Sequence, residues 1–287
     1  MKKTKILRNL WYGLSSNQRF LIRRLYYLPV DLFDKITGKT NKYVPPRGCI
    51  YTGSPSSAEN YLKQGDFQLE LLIEEIDLMP SDKVLDIGSG VGRTAIALTT
   101  YLDKSGSYDG FDVVKKGVDW CNSGIGNDFP NFKFKYVSLF NDLYNTSKNS
   151  ALDFVFPYQD NSFTKIFTFS VFTHMMLEEI QHYFKEIQRV LTKDGQCFST
   201  FFLYDSEDED YAGTRAHLNF PKKGDDGFRL MHENVKSGNI AIHKTKLDNM
   251  LKTAGLIRVK TIDGFWKDEV QDLSKKEYQD IVIFKSI

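Results

Sequence analysis

Val84-Leu85-Asp86-Ile87-Gly88-Ser89-Gly90-Val91-Gly92-Arg93 decides the fold. An apolar strand enters an acidic residue, turns through closely spaced glycines and starts a helix. Such a turn holds a nucleoside-bearing ligand at the edge of a parallel sheet, because glycine lets the backbone approach closely. The glycines fall at 88, 90 and 92, and position 93 is arginine. A dinucleotide fingerprint places its third small residue at 93. The acid inside the motif, Asp86, is also foreign to a dinucleotide site.

A second anchor follows in Ser107-Tyr108-Asp109-Gly110-Phe111-Asp112, a short strand ending on an acid. A carboxylate there accepts ribose hydroxyls and repels a phosphate. The two anchors together suit S-adenosylmethionine, which brings an amino-acid end in place of a pyrophosphate. A tight strand-to-helix turn without a ligand is the plain alternative for the glycines alone. The second acid weighs against it.

Further motifs carry a resemblance. Phe156-Pro157-Tyr158-Gln159-Asp160-Asn161-Ser162-Phe163 precedes Lys165-Ile166-Phe167-Thr168-Phe169-Ser170-Val171-Phe172-Thr173-His174. Glu186-Ile187-Gln188-Arg189-Val190-Leu191-Thr192-Lys193-Asp194-Gly195 follows. From about residue 50 to 287 the chain resembles the class I S-adenosylmethionine-dependent methyltransferases, more narrowly the bacterial small-molecule and glycan type. It departs from them at Lys165, where aspartate is usual, at Asp194, where glycine is frequent, and at Ser138, where an acid often closes strand three. The resemblance implies a Rossmann-like, seven-stranded, mostly parallel sheet. It also implies that the last strand inserts antiparallel between strands five and six.

Alternating patterns place strands at 83–87, 107–112, 132–137, 165–170, 196–203, 256–261 and 280–285. Helices are expected over 66–78, 91–103, 114–123, 177–191 and 245–254. Residues 204–240 read as an irregular insert that relatives use as a substrate lid. The expected organisation is a basic helical N-terminal extension over 1–48 and a methyltransferase domain over 49–287, divided at Val44-Pro45-Pro46-Arg47-Gly48.

In that reading Asp86, Gly88, Ser89 and Gly90 face the methionine end of the cofactor, and Asp112 holds the ribose. Ser138 and Leu139 flank adenine. Ser170 and Val171 lie beneath the transferable methyl. His174, just past strand four, is the first candidate for a general base, and His243 the second. A histidine that merely orders its turn is the plain alternative for each. The acceptor is expected to be a small molecule or glycan, with oxygen the favoured atom. A nicotinamide-dependent oxidoreductase is disfavoured by Arg93 and by the lack of a Tyr-x-x-x-Lys pair after strand four. A cofactor-binding protein without turnover is the remaining alternative.

Composition agrees with a globular enzyme, at 41% hydrophobic and 26% charged residues. Cys49, Cys121 and Cys197 have no metal-like spacing and read as free thiols of a reducing cytoplasm. No secretory signal, spanning segment, repeat or metal motif is evident, so a cytoplasmic protein is expected. Charge is uneven. Residues 1–48 carry eleven Lys and Arg against Asp31 and Asp34, a net +9, and the whole chain is +1, which leaves −8 elsewhere. Aromatic and aliphatic residues from Leu10 and Trp11 to Leu28 interleave with these cations. Three readings stand open: an arm packed on its own chain or in a homo-oligomer, a helix at the inner membrane surface, and, least favoured, nucleic-acid binding. The run Tyr204-Asp205…Asp210-Tyr211 reads as a solvated acidic loop or as a lid for a cationic acceptor. Trp266 reads as core or as a stacking platform.

Overall fold

A computed structural model of the chain describes residues 13–53, 55–141, 144–214, 218–224, 227–231, 238–268 and 277–287. Leu10 and Trp11 of the basic arm lie outside the described residues. The main sheet contains β1 (Lys83–Ile87), β2 (Ser107–Asp112), β3 (Phe132–Tyr136), β4 (Phe163–Thr168), β5 (Leu191–Phe201), β6 (Leu256–Ile262) and β7 (Asp280–Ser286). Its seven strands run in the order β6-β7-β5-β4-β1-β2-β3. β1 with β4, β4 with β5, and β2 with β3 pair in parallel. β7 is antiparallel to both β5 and β6, as the resemblance implied. Helices are α1 (Ser16–Ile36), α2 (Ala58–Ile76), α3 (Arg93–Tyr101), α4 (Lys115–Cys121), α5 (Leu177–Val190) and α6 (Lys244–Thr253). α2 begins eight residues earlier than its apolar pattern suggested, at Ala58.

The chain divides into two compact units. The first comprises residues 1–74, 79–81 and 88–148, and so holds α1, the glycine turn, β2 and β3. Its strands are held by aromatic packing, with Tyr108 stacked on Phe132 at 5.1 Å and against Phe134 at 5.2 Å. α1 starts on a capping box, in which Ser15 Oγ accepts from the Gln18 backbone N–H and Gln18 Oε1 accepts from that of Ser15. Its acids turn inward. Asp31 accepts the backbone N–H groups of Arg47 and Gly48, and Asp34 pairs with the Arg47 guanidinium at 2.7 Å.

The second unit comprises residues 75–78, 82–87 and 149–287. α5 carries Leu177, Ile180, Tyr183, Phe184, Ile187 and Val190 at helical spacing, and all are buried. Phe184 meets Phe284 of β7 at 5.5 Å, and Phe172 stacks on Phe201 of β5 at 5.3 Å. Lys165, unusual in its motif, donates from its ammonium to the Ile76 carbonyl and to Gln196 Oε1. Burial lowers its pKa.

The described residues of the insert are not irregular. Leu203–Tyr204, Ile240–His243, Phe228–Leu230 and Lys222–Lys223 form a second, four-stranded sheet in that order. The short helix Glu209–Thr214 packs with it. Its centre is an aromatic trio: Phe202 lies 5.2 Å from both Phe220 and Trp266, and Phe220 lies 5.5 Å from Trp266. Trp266 is 0% exposed, which makes it core rather than a platform. Strands this short carry too few alternations to be read from sequence.

Asp280, buried at the start of β7, fastens this sheet to the main one within the unit. It accepts from the Leu203 and Gly264 backbone N–H groups and from Trp266 Nε1, at 2.7, 2.8 and 2.7 Å. Burial raises its pKa to about 6 from 3.8, against the pull of these donors. Between those values the unfolded chain releases a proton that the folded chain keeps. Raising the pH through the window therefore lowers stability. Asp280→Asn does not titrate and turns an N–H toward one of the three donors. Denaturant titration should find it about 1–3 kcal/mol less stable than the parent near neutral pH, for the unpaired donor. That gap should be wider by about 1 kcal/mol at about pH 5 than at about pH 8, since only the parent loses stability on the way up. A gap that does not change with pH would contradict the raised carboxyl.

Candidate active site

The glycine turn connects β1 to α3 and requires left-handed backbone. Gly88, Gly90 and Gly92 have φ of 83°, 58° and 83°, a region costly for residues with a Cβ. The Gly88 and Ser89 N–H groups donate to the Phe111 carbonyl at 2.9 and 3.1 Å, which seats the turn on β2. The Gly90 N–H donates to Asp112 Oδ2 at 2.9 Å. Ser89 Oγ is buried and has no hydrogen-bond partner among the described residues. A buried hydroxyl without a partner costs about 1–3 kcal/mol, so this position fits a polar ligand group.

Asp112 closes β2 and is buried. Its Oδ1 accepts the Val114 N–H at 2.7 Å and lies 3.4 Å from the Tyr51 hydroxyl. Burial raises its pKa, and the donors around it oppose that rise. A carboxylate has about four acceptor sites. Two are filled by short backbone bonds. The long contact with Tyr51 is the one a ligand hydroxyl can replace. Burial, then the neighbouring Asp112, pushes the Tyr51 phenol well above its usual value, so it stays a donor.

The segment around Tyr51 was not evident as part of the site from sequence. Its only signal is the aromatic residue in Cys49-Ile50-Tyr51-Thr52-Gly53, ahead of the first helix of the expected domain. Arg93 explains its place. The guanidinium donates to the Thr52 carbonyl at 3.0 Å and lies 4.9 Å from the Tyr61 ring centroid. The arginine that argues against a dinucleotide thus holds residues 51–53 over the glycine turn. Phe20, Leu21 and Arg24 of α1, with Tyr51, Val114 and Trp120, line a cleft between α1 and α4.

Ser138 and Leu139 follow β3, whose end is tied to this anchor by the Val137 N–H donating to the Asp112 carbonyl at 3.0 Å. Ser138 is exposed and exchanges hydrogen bonds with Ser147, and Leu139 is buried. The first unit thus gathers Gly88, Ser89, Gly90, Asp112, Ser138 and Leu139 with Tyr51.

The second unit holds the other candidates. Asp86 is buried in β1, in register with Phe167 of β4. Beyond β4, Ser170 has φ of 61°, a left-handed conformation rare for serine. Strain of this kind, about 1–3 kcal/mol, concentrates at functional sites. It is fixed by the Ser170 N–H donating to Thr200 Oγ1 at 2.7 Å and by Gln279 Nε2 donating to Ser170 Oγ at 2.7 Å. Val171 follows, and His174, half-buried, ends the turn Phe172–His174. Thr168 Oγ1, at the end of β4, is a second buried hydroxyl with no partner among the described residues.

His243 sits apart, at the end of the second sheet's strand Ile240–His243. Its Nδ1 accepts the Thr245 N–H at 3.2 Å, capping α6, and its Nε2 lies 3.2 Å from Ser206 Oγ. Both ring nitrogens are engaged, which suits a cap better than a base.

Two motifs prove structural in this unit. Arg189 donates to Glu186, to Asp160 and to the carbonyls of Phe156 and Tyr158, while Glu186 accepts the Phe156 N–H. The "RVL" and "FPYQD" segments are thus halves of one clamp. Three acids of the loop are paired in place: Asp205 with Lys244, Asp208 with Lys267, and Glu209 with Lys223 and Arg229.

Comparison with known proteins bears on the family and the fold. Residues 85–199 match the methyltransferase domain family. The phosphoethanolamine N-methyltransferase of Plasmodium falciparum is 23% identical over 252 residues, covering 79% of this chain and 87% of that protein. Among solved structures, the PH0226 protein of Pyrococcus horikoshii OT3 superposes with a TM-score of 0.51 at 15% identity, covering 80% of this chain and 92% of that one. The [4+2]-cyclase SpnF also reaches 0.51, at 14% identity, covering 94% and 96%. At such identities the structural likeness concerns the fold alone.

The close approach of α4 to the glycine turn gives a test. A Cβ on Gly117 would lie 2.1 Å from the Tyr51 hydroxyl and 2.4 Å from the Gly90 carbonyl oxygen. Gly117→Ala should therefore lower stability by about 1–3 kcal/mol, despite alanine's higher helix propensity. Thermal unfolding reads this directly, and an unchanged or raised midpoint would show that the helix does not press on the turn.

Proposed function

For a chain that is a class I S-adenosylmethionine-dependent methyltransferase, we propose a small-molecule acceptor whose methylated atom is an amine nitrogen. The observation that carries the cofactor assignment is the Asp112 anchor with the partnerless Ser89 hydroxyl beside it. The nitrogen acceptor is supported by the Plasmodium falciparum relative, whose name specifies N-methylation. A hydroxyl on a small molecule or glycan is the second reading, favoured by the small-molecule and glycan enzymes whose motifs this sequence resembles.

S-adenosylmethionine supplies a methyl group already activated on a sulfonium. The chain's own task is therefore to bind, to orient and to manage one proton. Asp112 is assigned to the ribose hydroxyls, which take the contact now made by Tyr51. Ser138 and Leu139 are assigned to adenine. Asp86, Gly88, Ser89 and Gly90 are assigned to the amino-acid end, and Ser170 and Val171 to the methionine chain. Holding the acceptor in line can supply about 7–11 kcal/mol of the barrier reduction. His174 is assigned as the base, because an amine must be neutral to attack. His243 is assigned to capping α6.

Asp112→Ala should weaken S-adenosylhomocysteine binding in calorimetry by about tenfold or more, since each hydrogen bond to a charged group contributes about 1.5–3 kcal/mol. Equal affinity would place the ribose elsewhere. His174→Ala should lower turnover about a hundredfold while that affinity holds. With an amine acceptor, raising the pH should restore much of the loss, because the amine then sheds its own proton. With a hydroxyl acceptor it should not. Full turnover in His174→Ala would return His174 to a structural role.

A further inference from the structure

The N-terminal helix is built inside out. On α1 the side facing its own unit carries Ser16, Arg19 and Asp34, exposed only 7%, 7% and 9%, with Arg23 reaching the Ile50 carbonyl and Asp31 holding residues 47–48. The outer side is apolar. Leu21, Leu25, Leu28, Leu32 and Ile36 recur at spacings of four, three, four and four, which keeps them on one stripe of an α-helix. Ile22 and Phe33 widen that stripe. Leu25, Phe33 and Ile36 are 59%, 58% and 84% exposed. A helix that only packed as an arm would turn this face inward and send its arginines to solvent.

We propose that the outer face of α1 docks on an anionic lipid bilayer, lying in the interface with its apolar stripe among the headgroups. Charge selects this occupant. Arg24, Lys35 and Lys39 are exposed along the same helix and its end. The only acids of residues 13–48, Asp31 and Asp34, are turned inward and bonded to Arg47 and Gly48. The outer face therefore carries cations and no anion. A second copy of the face would offer these cations no acid, whereas acidic headgroups complement them. Nucleic acid would use the cations but leave the apolar stripe in water. Among the described residues, no helix is long and apolar enough to cross a membrane, so the contact is one of lying on the surface. A helix of 21 residues offers about 31 Å of such contact.

The test is vesicle flotation of the full-length protein. Phosphatidylcholine vesicles with and without about 30% phosphatidylserine are the probes. The protein should float with the anionic vesicles only, and raised salt should release it. The double variant Leu25→Glu/Leu32→Glu should stay at the bottom of the gradient. The double variant Lys35→Gln/Lys39→Gln should partition about 25-fold more weakly, since each cation contributes about fivefold. Both variants should bind S-adenosylhomocysteine as the parent does, which certifies their fold. Failure of the parent to float would overturn the proposal, and so would equal flotation on neutral lipid. A parent dimer in sedimentation that Leu25→Glu/Leu32→Glu converts to monomer, with no flotation, would assign the face to a second copy instead.

Discussion

The buried carboxylate of Asp112 is the constraint on which the first unit depends. It joins three segments that are distant in sequence: the glycine turn through the Gly90 N–H, the entry to α4 through the Val114 N–H, and the N-terminal segment through Tyr51. Each bond matters for the others. Without the carboxylate, two buried N–H groups would lose their partners, and leaving such groups unpaired costs more than the bonds contribute when made. The same burial that raises its pKa makes it a strong acceptor for a hydroxyl that arrives with a ligand. A fold that keeps an ionisable group in this position, with one of its contacts long, retains the means of exchanging that contact.

Much of what looks chemical in the sequence turns out to be architecture. Arg189 and Glu186 spend their hydrogen bonds clamping residues 156–160. Asp205, Asp208 and Glu209 are paired with Lys244, Lys267, Lys223 and Arg229. His243 caps a helix. The buried hydroxyls without a partner among the described residues, Ser89 and Thr168 among them, are far less conspicuous in the sequence.

The sheet was legible because β1, β2, β4 and β7 are short apolar runs ended by acids, glycines or polar turns, and those cues are local. The passage that carries Asp86, the glycines and Asp112 was legible for the same reason, since all of them lie within one strand-turn-helix-strand unit of sequence. Tyr51 was not, because it meets Asp112 across 61 residues, and no local pattern announces such a contact. The second sheet was missed because its strands span two to four residues and its core is assembled from Phe202, Phe220 and Trp266, far apart in the chain. The basic, aromatic composition of the N-terminal arm was plain from sequence. Which of its faces turns outward was not, since Asp31 and Asp34 could be placed only once Arg47 and Gly48 were seen against them.

On the function proposed above, Asp112 exchanges its Tyr51 contact for the ribose of the cofactor. A crystal structure of the full chain with S-adenosylhomocysteine tests it most directly. Both ribose hydroxyls should lie within hydrogen-bonding distance of the Asp112 carboxylate, with the Tyr51 hydroxyl withdrawn from it and a ligand atom bonded to Ser89 Oγ. A bound ligand whose ribose lies away from Asp112, with Tyr51 still in place, would contradict it.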